Sequence, residues 1–421
     1  MKPGATSAAV IVLLLVAGHV HAQTPMELSL DAAVKMAIER EPSLRAARAD
    51  VEAARGMRQQ AGLRPNPSLM MERREEPGGT DNQTMVEVSL PLDLFRRAAR
   101  VGVAEHELEA IDRSVADRLR LLVNDVKLRY GHAAAAVRDS RIAGDLAASA
   151  RRELTLLQRR VDEGASPPID RDVLDVEARR LEAGRLISVG RADAAMAQFK
   201  RAVGLSADTR VTLRDSIETL AASPDAAAVA SAASVRADVQ EADARVRLAH
   251  ARIEQAESDG RVDVSVFGSY MRMDAGFPQR GFDALGGLAR VRGVFNYVSG
   301  GATVMVPLWN RNQGAVAAAR AEWTAAQARL EASQLAAHAE IAEAAALAAS
   351  TRQVLSVMAD AVTIARRNLD VVRQTYELGR ATLPDVLTEQ RRYVEVENEY
   401  TSALRDAFEA RTSLELARGE Q

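Results

Sequence analysis

Polar side chains that could do chemistry gather at two places in this 421-residue chain. The first, EGASPPIDRDVL (Glu163 to Leu174), offers Asp170 and Asp172 after Gly164. The second, ELGRATLPDVL (Glu377 to Leu387), offers Arg380 and Asp385 after Gly379, with Tyr376 a turn earlier. Neither holds the set that a catalyst needs. His106, His132, His250 and His338 are scattered, without metal-ligand spacing or a paired carboxylate. The chain has no phosphate-cradling glycine loop and no nucleophile elbow. It has no cysteine, which excludes disulfides, thiolate metal sites and a lipid anchored through an N-terminal cysteine. The expectation is a protein that is not an enzyme and holds no cofactor and no metal. Carboxylates at such breaks can cap helices, or, if the breaks ring an opening, select cations and shut it with salt bridges.

The elements that position these breaks form a repeat. A short apolar strand ends in VSLPLDLFRR (Val88 to Arg97), and a long helical run leads to the first break. VMVPLWNRNQ (Val304 to Gln313) and a second long run lead to the other. Pro91 precedes Gly164 by 73 residues and Pro307 precedes Gly379 by 72. A helix of that length reaches on the order of 100 Å, far beyond an ordinary globular helix. Two strand-plus-giant-helix units suggest a structural conduit. The balance of 55 basic and 58 acidic residues supplies no basic field, so nucleic acid is not an expected partner. With 47% hydrophobic but only 4% aromatic residues, packed helices are favoured over a large globular core.

Residues 1–22 read as a secretory signal. Lys2 supplies charge, Ala8 to Ala17 a short apolar core, and Val20-His21-Ala22 a small-residue cleavage site, so the mature chain starts at Gln23. The first repeat occupies 23–204, a less regular linker with Pro224 runs over 205–232, and the second repeat fills 233–421. Short helices are expected at Leu28 to Glu41 and Ser43 to Leu63, the latter matched by Val235 to Glu257.

Four strands follow from alternation of period two, in two hairpins: about 68–76 with 83–92, and 262–273 with 291–308, the second pair joined by a longer loop. Val86, Val88, Leu90 and Leu92 share one face, with Glu87 and Ser89 opposite; Ala302, Val304, Val306 and Leu308 repeat that face, with Thr303 and Met305 opposite. Seven of the 15 aromatics fall between Phe267 and Trp309, which suits a membrane interface. On the long helices, Leu355, Met358, Val362, Ala365, Leu369, Val372 and Tyr376 form a heptad seam, resumed from Tyr393 to Leu414. The first copy carries a rougher one through Leu122, Val126, Tyr130, Leu146, Ala150 and Leu157.

In this order and spacing, LSLDAAVKMAIEREPSLRAARADVEAAR, RPNPSL, VSLPL, VMVPL and the two breaks resemble the TolC family of outer-membrane efflux factors, over essentially the whole mature chain. They are similar in particular to the CzcC-like branch that serves heavy-metal resistance-nodulation-division (RND) pumps. The resemblance implies a mainly α fold with a small membrane β-barrel portion. Four strands per protomer would join a trimeric 12-stranded barrel, with coiled-coil helical hairpins forming a periplasmic tunnel. It implies a homotrimer in outer-membrane lipid, passing substrates that include metal cations, with a periplasmic adaptor (membrane fusion) protein and an inner-membrane RND pump as partners. The tips near 164–170 and 379–385 would gate it, Tyr376 matching the family's tyrosine before the second tip glycine and Asp170 lying at the expected distance from Gly164. Ala381 stands where the family usually has arginine, and Arg380 precedes it. The alternatives are a duct for type I protein secretion and a periplasmic coiled-coil scaffold that never enters the membrane.

Overall fold

A computed structural model describes residues 26–77, 79, 81–222 and 236–420. The signal segment and Pro224 therefore lie outside the described residues. Its dominant elements are two helical hairpins of matching size. Helix α3 (Arg96–Asp162, 67 residues) turns into α4 (Pro168–Ala202), and α7 (Gln313–Glu377, 65 residues) turns into α8 (Leu383–Arg418). At 1.5 Å per residue α3 and α7 are each about 100 Å long. Two shorter helices flank their upper ends, α2 (Pro42–Ala61) against α3 and α6 (Ala237–Asp259) between α3 and α7. Among the described residues no helix is long and apolar enough to cross a membrane.

The strands β2 (Ser68–Glu75), β3 (Asn82–Pro91), β5 (Asp263–Phe282) and β6 (Leu288–Met305) form one antiparallel sheet in the order β2-β3-β5-β6. The two expected hairpins thus join through β3 and β5, and Val86, Val88 and Leu90 share a face with Tyr270, Gly268 and Val266. The second hairpin departs from expectation. In place of a loop after Met273, β5 runs on to Phe282 and β6 begins at Leu288, with a bulge between Gly276 and Arg280. GFPQRGF reads locally as loop because of Gly276, Pro278 and Gly281. Cross-strand pairing overrides that local signal.

Three further elements go beyond the sequence expectations. Strand β1 (Met26–Leu28) pairs in parallel with β4 (Val211–Leu213), and α5 (Ile217–Ala222) follows within the stretch read as linker. Helix α1 (Leu30–Arg40) consequently starts two residues late: Ser29 caps it, its hydroxyl accepting from the Ala32 amide, and Leu28 belongs to β1. These pieces wrap the middle of the long hairpins, where Leu28, Val126, Tyr130, Phe199, Ile217 and Phe408 form the main core. Tyr130 is fully buried. Its hydroxyl donates to the Leu28 carbonyl at 2.9 Å and accepts from the Asp215 amide at 3.1 Å, and its ring meets Phe199 edge-on at 5.3 Å. Burial pushes its phenol up to about 12. Gly131 is required by close approach, since a Cβ there would sit 2.4 Å from the Phe408 ring.

The expected seam of α7 is buried or half-buried along its length, with Ala365 and Leu369 deepest. On α8 the expected seam is likewise buried or half-buried, with Ala403 and Leu414 deepest, and a second buried stripe runs beside it: Leu387, Gln390, Glu397, Thr401, Leu404 and Phe408. Helix α8 packs on α3 as well as α7, and Glu397 and Thr401 are tolerated there because Arg138 of α3 bonds them. Its guanidinium donates to Glu397 at 2.9 Å, to Glu218 of α5 at 2.7 Å and to the Thr401 hydroxyl.

Candidate functional site

All the sequence-selected site residues lie where the hairpins turn. Helix α3 ends with Gly164 at φ 74°, its amide donating to the Val161 carbonyl, while the Ala165 amide donates to that of Arg160. Helix α7 ends with Gly379 at φ 69°, its amide on Tyr376 and the Arg380 amide on Thr375. Both are the paired-bond C-terminal motif that demands a left-handed residue, which glycine adopts without Cβ strain.

The following helices start differently. Helix α8 opens with a capping box: Thr382 precedes it, Pro384 stands in its first turn, and Asp385 reaches back. The Asp385 carboxylate accepts from the Thr382 hydroxyl at 2.6 Å and from its amide at 2.9 Å. Those bonds hold its acid below the ordinary aspartate value. Helix α4 opens with Pro167 and Pro168 and no side-chain cap. Asp172 is exposed and takes both an Nε and an Nη of neighbouring Arg171, at 2.9 and 2.6 Å. The Asp170 amide bonds the Pro167 carbonyl, and its carboxylate accepts no hydrogen bond among the described residues.

Above the turns an apolar cluster clamps all four helices: Leu157 of α3, Leu174 of α4, and Leu383 and Leu387 of α8 are buried, with Leu154 and Tyr376 packed against them. Tyr376 is brought close enough to Asp170 for the two to interact. Burial raises its phenol first, and the Asp170 charge adds to the rise. Arg380 does not join them: it is exposed and forms no ion pair among the described residues.

Above the cluster, Arg373 of α7 pairs with Glu153 of α3 at 3.1 Å, bridging the two hairpins, and Gln390 is buried with neither side-chain polar atom hydrogen-bonded. Sequence reasoning passed over this layer and most of the clamp. A signal existed for the clamp, since Leu174 and Leu387 end the same Asp-Val-Leu run in both breaks. The arrangement can hold a closed end and place carboxylates around it. Among the described residues no three His, Asp or Glu side chains are grouped to hold a metal ion.

The comparisons with known proteins agree with this architecture. The model of the outer membrane efflux protein family matches residues 33–195 and 228–420. No curated protein sequence matches significantly. Among solved structures, CusC, described for conformational changes accompanying folding and transmembrane channel formation, superposes with a TM-score of 0.75 at 18% identity, over 93% of this chain and 92% of that one. A membrane protein from Pseudomonas aeruginosa gives 0.76 at 20% identity, over 93% and 92%. The outer membrane protein VceC of Vibrio cholerae gives 0.70 at 19% identity, over 93% and 96%. With its family's pattern matched over most of its length, the chain belongs to the outer membrane efflux protein family, a passive channel of the outer membrane with a long periplasmic helical extension, and not an enzyme.

Proposed function

We propose that this chain is the homotrimeric exit duct of a tripartite pump, docking by its tips on a periplasmic adaptor that links it to an inner-membrane RND transporter. The observation that carries the reading is the open sheet: among the described residues, β2 and β6 each have one strand neighbour and one bare edge. Bare edges are not tolerated in lipid, and four strands are too few to close a barrel. Three copies supply twelve. Each repeat, 23–204 and 233–421, then contributes one strand hairpin and one helix hairpin to the wall.

A second set of unpartnered surfaces supports the same assembly. On α7 and its C-cap, Val357, Ile364, Val371 and Leu378 recur every seven residues and are each more than half exposed, forming an apolar stripe beside the buried seam. On α4, Ile169, Val173 and Val176 form a shorter exposed stripe. Packing the α7 stripe of one protomer on the α4 stripe of the next would bury both. Ile364→Glu should therefore convert the purified protein from trimer to monomer, read as mass in detergent. A protein that is already monomeric before the substitution would overturn the reading.

Metal cations are the proposed cargo, on the resemblance to the heavy-metal branch and on the aspartates carried by both tips. A deletion strain should lose tolerance to transition-metal ions and keep it toward organic drugs. Loss toward drugs alone would assign the duct to another cargo.

A further inference from the structure

We propose that the outer end of the β5–β6 hairpin is a binding surface for phosphate-bearing lipid headgroups of the outer leaflet. Helices leave the sheet at only one end, where Pro91 leads to α3 and Asp263 follows α6. The turn between Phe282 and Leu288 therefore points away from the periplasm. The hairpin also overshoots its neighbours, because β3 stops pairing with β5 at Asp274 while β5 and β6 stay paired to Phe282 and Leu288.

One face of the sheet changes character on the way out. Its lower rows are apolar: Leu90, Val266 and Ala302 lie side by side, and two rows higher come Met71, Val86, Tyr270 and Val298. The opposite face in the same rows mixes Glu72, Glu87, Ser89, Ser269 and Thr303 with Phe267, Met271 and Tyr297, whereas the first face holds no charged residue below Arg272, so that face meets lipid. The next row on it is Arg73, Thr84, Arg272 and Asn296. Arg272 is the tenth residue of β5, about the length that crosses a membrane. The Tyr270 hydroxyl donates to Asn296 at 2.7 Å just below, as an interfacial aromatic would.

Beyond this boundary the same face carries Arg292, and then Arg280 directly opposite Arg290. Like charges so placed repel. Arg272, Arg280, Arg290 and Arg292 are exposed, and none forms an ion pair among the described residues. Two acids accompany them between 272 and 292. Asp283 is committed to the turn, accepting from the amides of Leu285 and Gly287, which leaves Asp274 alone. A ladder of arginines that begins where the apolar face ends is complementary to a layer of phosphates, which guanidinium groups bind in paired hydrogen bonds. Phe282 and Leu288 share that face next to the arginine pair, 78% and 64% exposed. They offer an amphiphile apolar contact that a free phosphate ion cannot use.

The test uses the full chain purified in detergent and mass spectrometry of the intact assembly. The probes are lipid A with two phosphates, its dephosphorylated form, and inorganic phosphate. The unaltered protein should retain the phosphorylated lipid about tenfold more tightly than the dephosphorylated one, and inorganic phosphate at equal concentration should not displace it. Replacing the four arginines together (R272Q, R280Q, R290Q, R292Q) should abolish that preference, and four lysines in their place should keep most of it. Equal retention of the two lipids by the unaltered protein, displacement by inorganic phosphate, or an undiminished preference in the glutamine variant would each overturn the proposal. The first two readings hold whether or not the variants fold. The proposal rests on the assignment of the lipid face. Because the chain lacks cysteine, one fluorophore on Val88→Cys, quenched by nitroxide-bearing lipid, reports whether that assignment or the phosphate binding has failed.

Discussion

The two hairpin tips end their long helices identically and begin their short ones differently. At both, a glycine with φ near 70° closes the same pair of backbone bonds. At the second tip Asp385 is then consumed by the Thr382 cap, whereas at the first a Pro-Pro start leaves no side-chain cap and Asp170 accepts no hydrogen bond among the described residues. The difference teaches that an aspartate's position in a repeat does not fix its role. Its availability is set by whether a neighbouring hydroxyl and amide claim it. Two aspartates that look equivalent in sequence are thereby divided into a structural group and a free charge.

What the tips share should be the most sensitive to damage. Leu174→Ala and Leu383→Ala each empty part of one four-helix clamp and should weaken closure by about 2–5 kcal/mol. Hydrogen exchange should then speed up at both turns in either variant. Acceleration confined to the turn that carries the substitution would mean that the tips are independent. The glycines come next. A Cβ added at Gly164 or Gly379 would meet no atom within 4 Å, so alanine costs only the left-handed backbone, about 1–2 kcal/mol and equal at both sites. Unequal losses in thermal unfolding would show that the shared geometry is not equally loaded.

How much of this could be read from the chain follows the range of each signal. The two glycine-bearing breaks and the β3 alternation are encoded within a few residues, and they stand where the sequence puts them. The β1–β4 pair is not local: Met26–Leu28 and Val211–Leu213 are too short to announce themselves, and they are strands because they lie on the Tyr130 core. The second buried stripe of α8 is hidden for a related reason. Gln390, Glu397 and Thr401 are polar and break a heptad count, yet they are buried, with Arg138 bonding the latter two. At the tips the residues were visible in the sequence and their commitments were not. That Asp385 is bonded and Arg380 is not depends on side-chain directions that spacing alone leaves open.

Removing the cap makes the comparison sharper. Thr382→Ala should cost about 1 kcal/mol at the second tip, while Pro167→Ala, which removes no capping bond, should leave the first nearly unchanged. The cap should also make the second tip sensitive to pH. The Asp385 acid is depressed when folded, so its contribution is complete above the ordinary aspartate value and is lost as pH falls through the lowered one. In Asp385→Asn the exchange of the amides after Thr382 should lose this acid dependence. A variant that keeps it would assign the titration to another group.

The smallest effect on stability should be that of Asp170→Asn, and it bears on function most directly. Asp170 caps nothing through its side chain, so thermal unfolding and trimer mass should be unaltered. Its charge nevertheless reaches Tyr376 inside the clamp, and three copies of it would surround a narrow mouth, where acidic rings favour cations. Single-channel recordings in planar bilayers should therefore show weaker cation preference in Asp170→Asn. Asp172→Asn should show a smaller change, since Arg171 already offsets that charge. Asp385→Asn, whose carboxylate is tied to Thr382, should show a change in cap stability before any change in selectivity. If selectivity instead followed Asp385 and ignored Asp170, the division of the two tips into cap and free charge would be reversed, and the constriction would have to be formed by the side of the mouth that carries α8.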